Sequence, residues 1–361
     1  MSVPLDRLYN FLQTICNQDI IIYRFFPHGS KKWHDLSPLH LATDEQKSTH
    51  VFALFHDQEP VNAEWIPLPT NGTSWFKLRT ESIDSQYPYT IFVHSEKNSR
   101  DVEKLEQLGA KEVYYWSHGL IARDWYRHAE IDPAIDTQVV KQQKSFLIYN
   151  RAWEGSREYR FKFLELLISS GLHQYCNVKF AEYENDKHYT QHKFKNNQFK
   201  TNCKFEELIE PNTYNSNASA DYSVEDYNNS TVEIVLETMF DETKWHLTEK
   251  ILRPIAVGKP FVLVSTPGSL EYLRSYGFKT FSPWINESYD LVQDPVERLQ
   301  AIIAQMKKLN DTDNLELFAK CQEIADYNKR WFFSKNFYQL VVNEYVSNLS
   351  HAVSQIKNSV N

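Results

Sequence analysis

The sequence predicts an α/β protein of two domains, each built on a parallel sheet. Three observations predict it. Short apolar, β-branched runs alternate with helical periods along the chain, as strands and crossover helices do. The stretch 230–281 reads as a strand–helix–strand–helix unit, whose crossover should be right-handed. The 361 residues permit two domains of ordinary size, with a 42% apolar fraction to fill their cores.

The first domain is expected over 1–135. Leu5, Leu8, Phe11, Leu12 and Ile15 share one helical face. Asp19 to Phe26 is the first strand, closed by Pro27-His28-Gly29. Val51 to Phe55 is the next, and it runs directly into His56-Asp57-Gln58-Glu59-Pro60. Two carboxylates and an imidazole just past a buried strand lie where open α/β sheets bind ligands. Pro60 suits the first position of a helix capped by Glu59. Tyr89 to His94 is a strand, Ser95 to Gly109 a helix, and Lys111 to Trp116 a strand ending at Ser117-His118-Gly119. His118 thus stands at a strand end beside a glycine turn. Arg123, Asp124 and Arg127 read as a structural ion network. Residues 132–143 carry proline and charge without a period, and are expected as the linker.

The second domain is expected over 144–330. Lys144 to Tyr149 is its first strand, leading into Asn150, Arg151, Arg157 and Arg160 ahead of a helix. Arginine binds phosphate bidentately and stays charged, so this cluster suits a diphosphate. Cys176 to Ala181 is a strand. The segment Lys187 to Lys204 holds five Lys, two His, one Tyr and two Phe, and no acid, in a chain of net charge −8. Basic residues interleaved with aromatics contact phosphates and stack on bases. Lys193, Lys195 and Lys200 are therefore candidate contacts for a polyanion. Glu206 to Asn229 reads as loop.

Thr231 to Leu236 is a strand buried on both faces. Past it stand His246, Thr248, Glu249 and Lys250, in front of a helix. Thr248 as N-cap leaves free N–H groups and a partial positive charge, which with Lys250 favour phosphate. Glu249 offers a carboxylate to sugar hydroxyls. Pro254 inside the period predicts that the helix starts later or kinks. Gly258 stops it, Phe261 to Ser265 is a strand, and Pro267-Gly268 turns into a further helix. Pro295 to Leu309, Leu315 to Tyr327 and Phe333 to about Ile356 are helices. Asp311-Thr312-Asp313 follows no strand and is not read as a metal site.

Composition removes several classes. Only 9 Gly are present, with no G-x-G-x-x-G and no G-x-x-x-x-G-K-[ST], which disfavours dinucleotide oxidoreductases and P-loop kinases. Cys16, Cys176, Cys203 and Cys321 show no paired spacing and read as reduced thiols. No apolar run approaches ~20 residues, so no membrane span is expected. The N-terminus lacks the pattern of a signal peptide. A cytoplasmic setting is expected, in a bacterial or phage-infected cell.

The Thr-Glu-Lys opening a helix, followed by Gly258-Lys259-Pro260 stepping into an apolar strand, resembles the donor-binding half of nucleotide-sugar glycosyltransferases with two facing Rossmann-like domains (the GT-B fold). Within that fold the pattern is similar to the α-1,3-fucosyltransferases. The resemblance implies a nucleotide-sugar co-substrate, UDP- or GDP-linked, in a cleft between the domains. It implies donor contacts from Asn150, Arg151, Arg157, Arg160, His246, Thr248, Glu249 and Lys250, with Arg160 the best match among the arginines. It implies a catalytic base at Asp57 or Glu59, helped by His118, and inversion at the anomeric carbon. The cationic groups would neutralise the leaving diphosphate, so no metal is expected. A final helix, 331–361, would cross back onto the first domain, anchored by Trp331, Phe332, Phe333 and Phe337.

The Asp57-Gln58-Glu59-Pro60 step and the segment His118-Gly119 to Trp125 also resemble tailed-phage transferases that attach glucose or arabinose to hydroxymethylated cytosine. Double-stranded DNA is one expected acceptor and a surface glycan the other. The competing class is a two-domain binding protein without catalysis.

Overall fold

A computed structural model of the chain describes residues 10–12, 14, 20–25, 34–35, 43, 45, 51–61, 90–107, 111–131, 144–209, 220–282, 284–312 and 314–360. The protein is mixed α/β and its main sheets are parallel. It divides into two units, 1–121 with 338–361, and 122–337. The segment 132–143, expected as the linker, lies outside the described residues. Among the described residues, no helix is long and apolar enough to cross a membrane.

In the first unit β1 (Ile20–Phe25), β2 (His34–Asp35), β3 (Val51–His56), β4 (Thr90–His94) and β5 (Lys111–Tyr114) form one sheet in the order β2-β1-β3-β4-β5. The pairs β1–β3, β3–β4 and β4–β5 are parallel, and the short β2 is an antiparallel edge. Ile91, Phe92 and Val93 are buried, as a central parallel strand requires. Helix α1 (Arg100–Gln107) crosses between β4 and β5 and buries Val102 and Leu105. Helix α2 (Ser117–Trp125) follows β5. His118 therefore stands in a first helical turn, where the sequence predicted a strand-end turn.

In the second unit β6 (Lys144–Asn150), β7 (Cys176–Phe180), β10 (Ser230–Leu236) and β11 (Phe261–Val264) form a parallel sheet in the order β11-β10-β6-β7. All seven residues of β10 are buried. Helix α3 (Tyr159–Ser169) links β6 to β7. A hairpin, β8 (Tyr183–Glu184) and β9 (Lys187–His188), follows on a turn whose central Asn185 and Asp186 both have positive φ. The expected loop 206–229 contains a short helix, α4 (Val224–Asn228).

Helix α5 (Glu249–Val257) joins β10 to β11. It starts directly after Thr248 and carries Pro254 inside, so the expected late start is corrected. The missing N–H of Pro254 leaves one carbonyl unclaimed, but the carbonyl of Pro254 itself closes the helix. It accepts from Lys259 N at 2.9 Å, while Gly258 N reaches Ile255 O at 3.2 Å. Gly258 at φ +79° supplies the left-handed residue this closure needs.

Helices α6 (Ser269–Ser275), α7 (Pro295–Asn310) and α8 (Asn314–Phe333) complete the second unit, and α9 (Lys335–Val360) runs from it into residues counted with the first. The C-terminal aromatics divide in a way the sequence did not predict. Trp331 donates to Tyr276 O at 2.7 Å, and Phe337 packs on Phe278 at 5.1 Å between ring centroids. Both contacts lie within the second unit. The helix is held in the first unit by Tyr345 against Tyr115 and Phe55, by Glu344 accepting from Trp116 N at 3.1 Å, and by Asn348 donating to Tyr114 O at 2.8 Å.

Candidate functional site

Strand order locates the site in the second unit. From β6 the chain moves to β7 on one side; from β10 it moves to β11 on the other. The point where the direction reverses lies between β6 and β10. The loops leaving their carboxyl ends stand at the position where such sheets bind ligands. Residues 150–158 form one loop and 237–248 the other.

The two loops are stitched together. Ser156 donates to Thr238 O at 2.9 Å and Tyr159 to Glu237 O at 2.5 Å. Arg160 donates to Ala152 O at 2.7 Å, Leu236 O at 2.7 Å and Glu237 O at 3.0 Å. It is 2% exposed. Burial, with the nearby Arg157 charge adding to it, holds its pKa below the usual arginine value. Arg160 is thus a structural clasp between the strand ends. The expectation that it grips a diphosphate is corrected, because its terminal nitrogens are already engaged by main-chain carbonyls.

The front of α5 is occupied as well. Glu237, fully buried, accepts from Thr248 N at 3.1 Å, Thr248 Oγ1 at 2.7 Å, Ile251 N at 3.3 Å and Thr238 N at 3.2 Å. A carboxylate of the chain itself sits where a phosphate was expected, and for the same reason: helix N-termini attract negative charge. Thr248 does cap the helix, accepting from Lys250 N at 3.4 Å. Lys250 Nζ reaches Glu249 Oε1 at 2.8 Å, Thr248 Oγ1 at 3.1 Å and Thr238 Oγ1 at 3.2 Å. Glu249 is 4% exposed and ion-paired, so its expected contact to sugar hydroxyls requires that this pair open. His246 is buried at 1% exposure. Arg151 donates to Asp221 O and stacks 4.4 Å from the Tyr149 ring centroid.

Two groups remain open. Asn150, the last residue of β6, is fully buried, and neither its Nδ2 nor its Oδ1 has a hydrogen-bond partner among the described residues. Arg157, half-buried in the loop that follows, makes no side-chain hydrogen bond or ion pair among the described residues. Buried amides are normally satisfied, and the loop that leaves β6 after Asn150 carries the unpaired Arg157 guanidinium, a combination that suits an anionic ligand with polar edges.

In the first unit the loops past β3, β4 and β5 meet. Tyr115 donates to the carboxylate of Asp57, and Ser117 to the carbonyl of Asp57. Asp57 is 1% exposed, whereas Glu59 is exposed. His118 Nε2 donates to Gln58 O at 3.0 Å, which leaves Nδ1 as the lone-pair nitrogen of the neutral ring. Residues 58–61 are not helical, and the helix expected to start at Pro60 falls outside the described residues. Glu96, absent from the sequence reading, is 2% exposed and accepts from Val61 N and Ser99 Oγ, both at 2.6 Å.

The basic segment resolves into an inside and an outside. Tyr189, Phe199 and Phe205 are buried and pack with Phe180, Tyr159 and Phe161. Tyr189 and Phe199 are thus core side chains, while Phe194 of the same segment is half-buried and packs on Phe161 and His192. Glu158 pins the segment by accepting from His192 at 2.9 Å, Lys195 N at 2.7 Å and Asn196 N at 2.8 Å. Lys193, Lys195, Lys200 and Lys204 are exposed and form no ion pair among the described residues.

The architecture defines an α/β protein whose second sheet has a switch point between β6 and β10. Comparison with protein-family models, with curated proteins and with solved structures finds no match to this chain.

Proposed function

We propose that the chain is a glycosyltransferase of the GT-B type, with its nucleotide-sugar donor bound at the switch point of the second unit. The observation that carries this is the open pair, Asn150 and Arg157. Leaving a buried amide unpartnered costs about 1–3 kcal/mol, a cost that a ligand offering both a donor and an acceptor removes. Arg157 supplies positive charge to the diphosphate, bidentately. Lys250 joins it when its pair with Glu249 opens, which frees Glu249 for a donor hydroxyl. Arg160 and Glu237 hold the two loops in register.

In the reaction the acceptor hydroxyl attacks the anomeric carbon as the bond to the diphosphate breaks. The proton passes to a carboxylate, and the leaving diphosphate keeps the electron pair against Arg157. Of the two carboxylates expected as the base, Glu59 is exposed, whereas Asp57 is enclosed and already bonded to Tyr115. A carboxylate base at the acceptor implies inversion. The acceptor favoured is double-stranded DNA, because Lys193, Lys195 and Lys200 stand exposed and uncompensated on a pinned segment. They would meet backbone phosphates without reading bases.

The test is a thermal-shift series with UDP-, GDP- and CMP-sugars. A donor at ~100 times its Kd adds about 2.7 kcal/mol to the stability of the folded state. Arg157→Ala and Asn150→Ala should lose that shift. A wild-type protein that none of these donors stabilises overturns the reading. A donor shift without transfer to any acceptor marks a binding protein instead. DNA binding that weakens steeply with salt separates a DNA acceptor from a surface glycan.

A further inference from the structure

The chain after the edge strand β11 forms a second recess, built from α6 and the loop behind it. It is a cavity of about 670 Å³ bordered by Trp284, Leu291, Arg274, Asn286, Glu287 and Asp290. Trp284 is 47% and Leu291 69% exposed, and large apolar side chains this open are few among the described residues. The Lys320 ammonium stands 5.7 Å from the Trp284 ring centroid, so the indole at the cavity rim has its opposite face to offer a ligand.

The polar groups are half-used in a complementary way. Arg274 donates through Nη1 alone, to Thr280 Oγ1 at 2.9 Å and Glu287 Oε2 at 3.3 Å. Its Nε and Nη2 have no partner among the described residues. Asp290 is 5% exposed and accepts Leu270 N on Oδ2 at 3.1 Å, while Oδ1 has no such partner. Asn286 accepts Ser288 N on Oδ1 at 3.0 Å and keeps its Nδ2 open. The recess therefore offers an acceptor oxygen, two sets of N–H donors and an aromatic face.

We infer that this recess binds a neutral saccharide of one or two rings. A hydroxyl donates and accepts at once, so vicinal hydroxyls match an oxygen flanked by N–H donors. The C–H face of a sugar ring carries partial positive charge and suits the negative face of an indole. The volume lies in the range of small-molecule sites. Two carboxylates, Glu287 and Asp290, stand at this recess, which separates its ligand from the diphosphate proposed at the switch point.

The experiment is saturation-transfer NMR on the full chain with maltose, cellobiose, lactose and chitobiose at millimolar concentration. At least one should receive saturation from the wild type, and Trp284→Ala should weaken that binding by about tenfold or more. If Trp284→Ala fails to fold, Arg274→Gln, at an exposed position, decides in its place with the same expected loss. Arg157→Ala should leave saccharide binding unchanged, so failure of the nucleotide site and failure of this site are distinguishable. Absence of transfer to all of these sugars, or undiminished transfer in Trp284→Ala, overturns the inference.

Discussion

At the carboxyl edge of the first sheet the polar side chains hold one another, whereas the matching edge of the second leaves two of its own over. In the first unit Asp57, Glu96, Ser117 and His118 each have a partner in the same cluster of loops. In the second, Arg160, Glu237 and Lys250 are engaged, but Asn150 and Arg157 are not. Topology accounts for the difference. Strands β1, β3, β4 and β5 follow one another across the first sheet, so each loop leans on the next. Strand order reverses between β6 and β10, so the loops there leave strands whose connections run to opposite sides of the sheet, and Ser156, Tyr159 and Arg160 bridge them.

The hardest test of that contrast compares two arginines three residues apart. Arg160→Ala removes a buried guanidinium that three carbonyls depend on, and should cost about 4 kcal/mol, read as a lower urea midpoint. Arg157→Ala should change stability by less than about 0.5 kcal/mol while abolishing the donor-induced thermal shift. Equal costs for the two would dissolve the distinction between clasp and ligand contact.

Asp290 is an intermediate case, with one carboxyl oxygen bonded and one open. Burial, ahead of its other influences, raises its pKa from 3.8 to about 6. The folded protein thus binds this proton more tightly than the unfolded chain. The resulting stability is complete below about pH 4 and is lost as pH rises through about 6. At 1.36 kcal/mol per unit the difference approaches about 3 kcal/mol. Asp290→Asn should be the more stable protein at pH 8 and should show a flatter stability profile between pH 4 and 7. A mutant whose profile parallels the wild type would exclude Asp290 as its source.

In the first unit, Tyr115→Phe should cost about 2 kcal/mol, since it strips a buried carboxylate of a donor and offers nothing back. Chemical denaturation of the full chain measures it. A neutral outcome would mean that Asp57 is as loosely held as Asn150, and the two edges would no longer differ.

Much of this was legible in the sequence, and what was not has a common cause. The strands at 20–25, 51–56, 144–150 and 230–236 were readable because strands of a parallel sheet appear in sequence as apolar runs. Thr248 was readable as a cap because its bonds stay within a few residues. Glu237 was not, because the amides it serves lie 11 and 14 residues further on and nothing local marks them. Arg160 and Arg157 look alike in sequence; only the carbonyls of 236 and 237, reached across the fold, tell them apart. The aromatics at 189, 199 and 205 alternate with lysines in a way that suggests stacking, yet a short segment can send alternate residues inward and outward for packing alone. The hairpin at 183–188 did carry a local signal, the Asn-Asp pair that tolerates positive φ.

The smallest expected effect is the most informative about the second edge. Asn150→Ala deletes a fully buried amide whose polar atoms have no hydrogen-bond partner among the described residues. Loss of packing and relief of unsatisfied polarity oppose each other, so stability should move by no more than about 1 kcal/mol in either direction. An unsatisfied buried amide in a native fold calls for an explanation, and a ligand contact is the one proposed for Asn150. The same substitution should therefore remove the donor-induced shift entirely, in a protein that melts where the wild type does. Were Asn150→Ala instead to lose about 3 kcal/mol, the amide would have partners inside the fold after all. The opening between β6 and β10 would then be a packed seam, no different in kind from the edge of the first sheet.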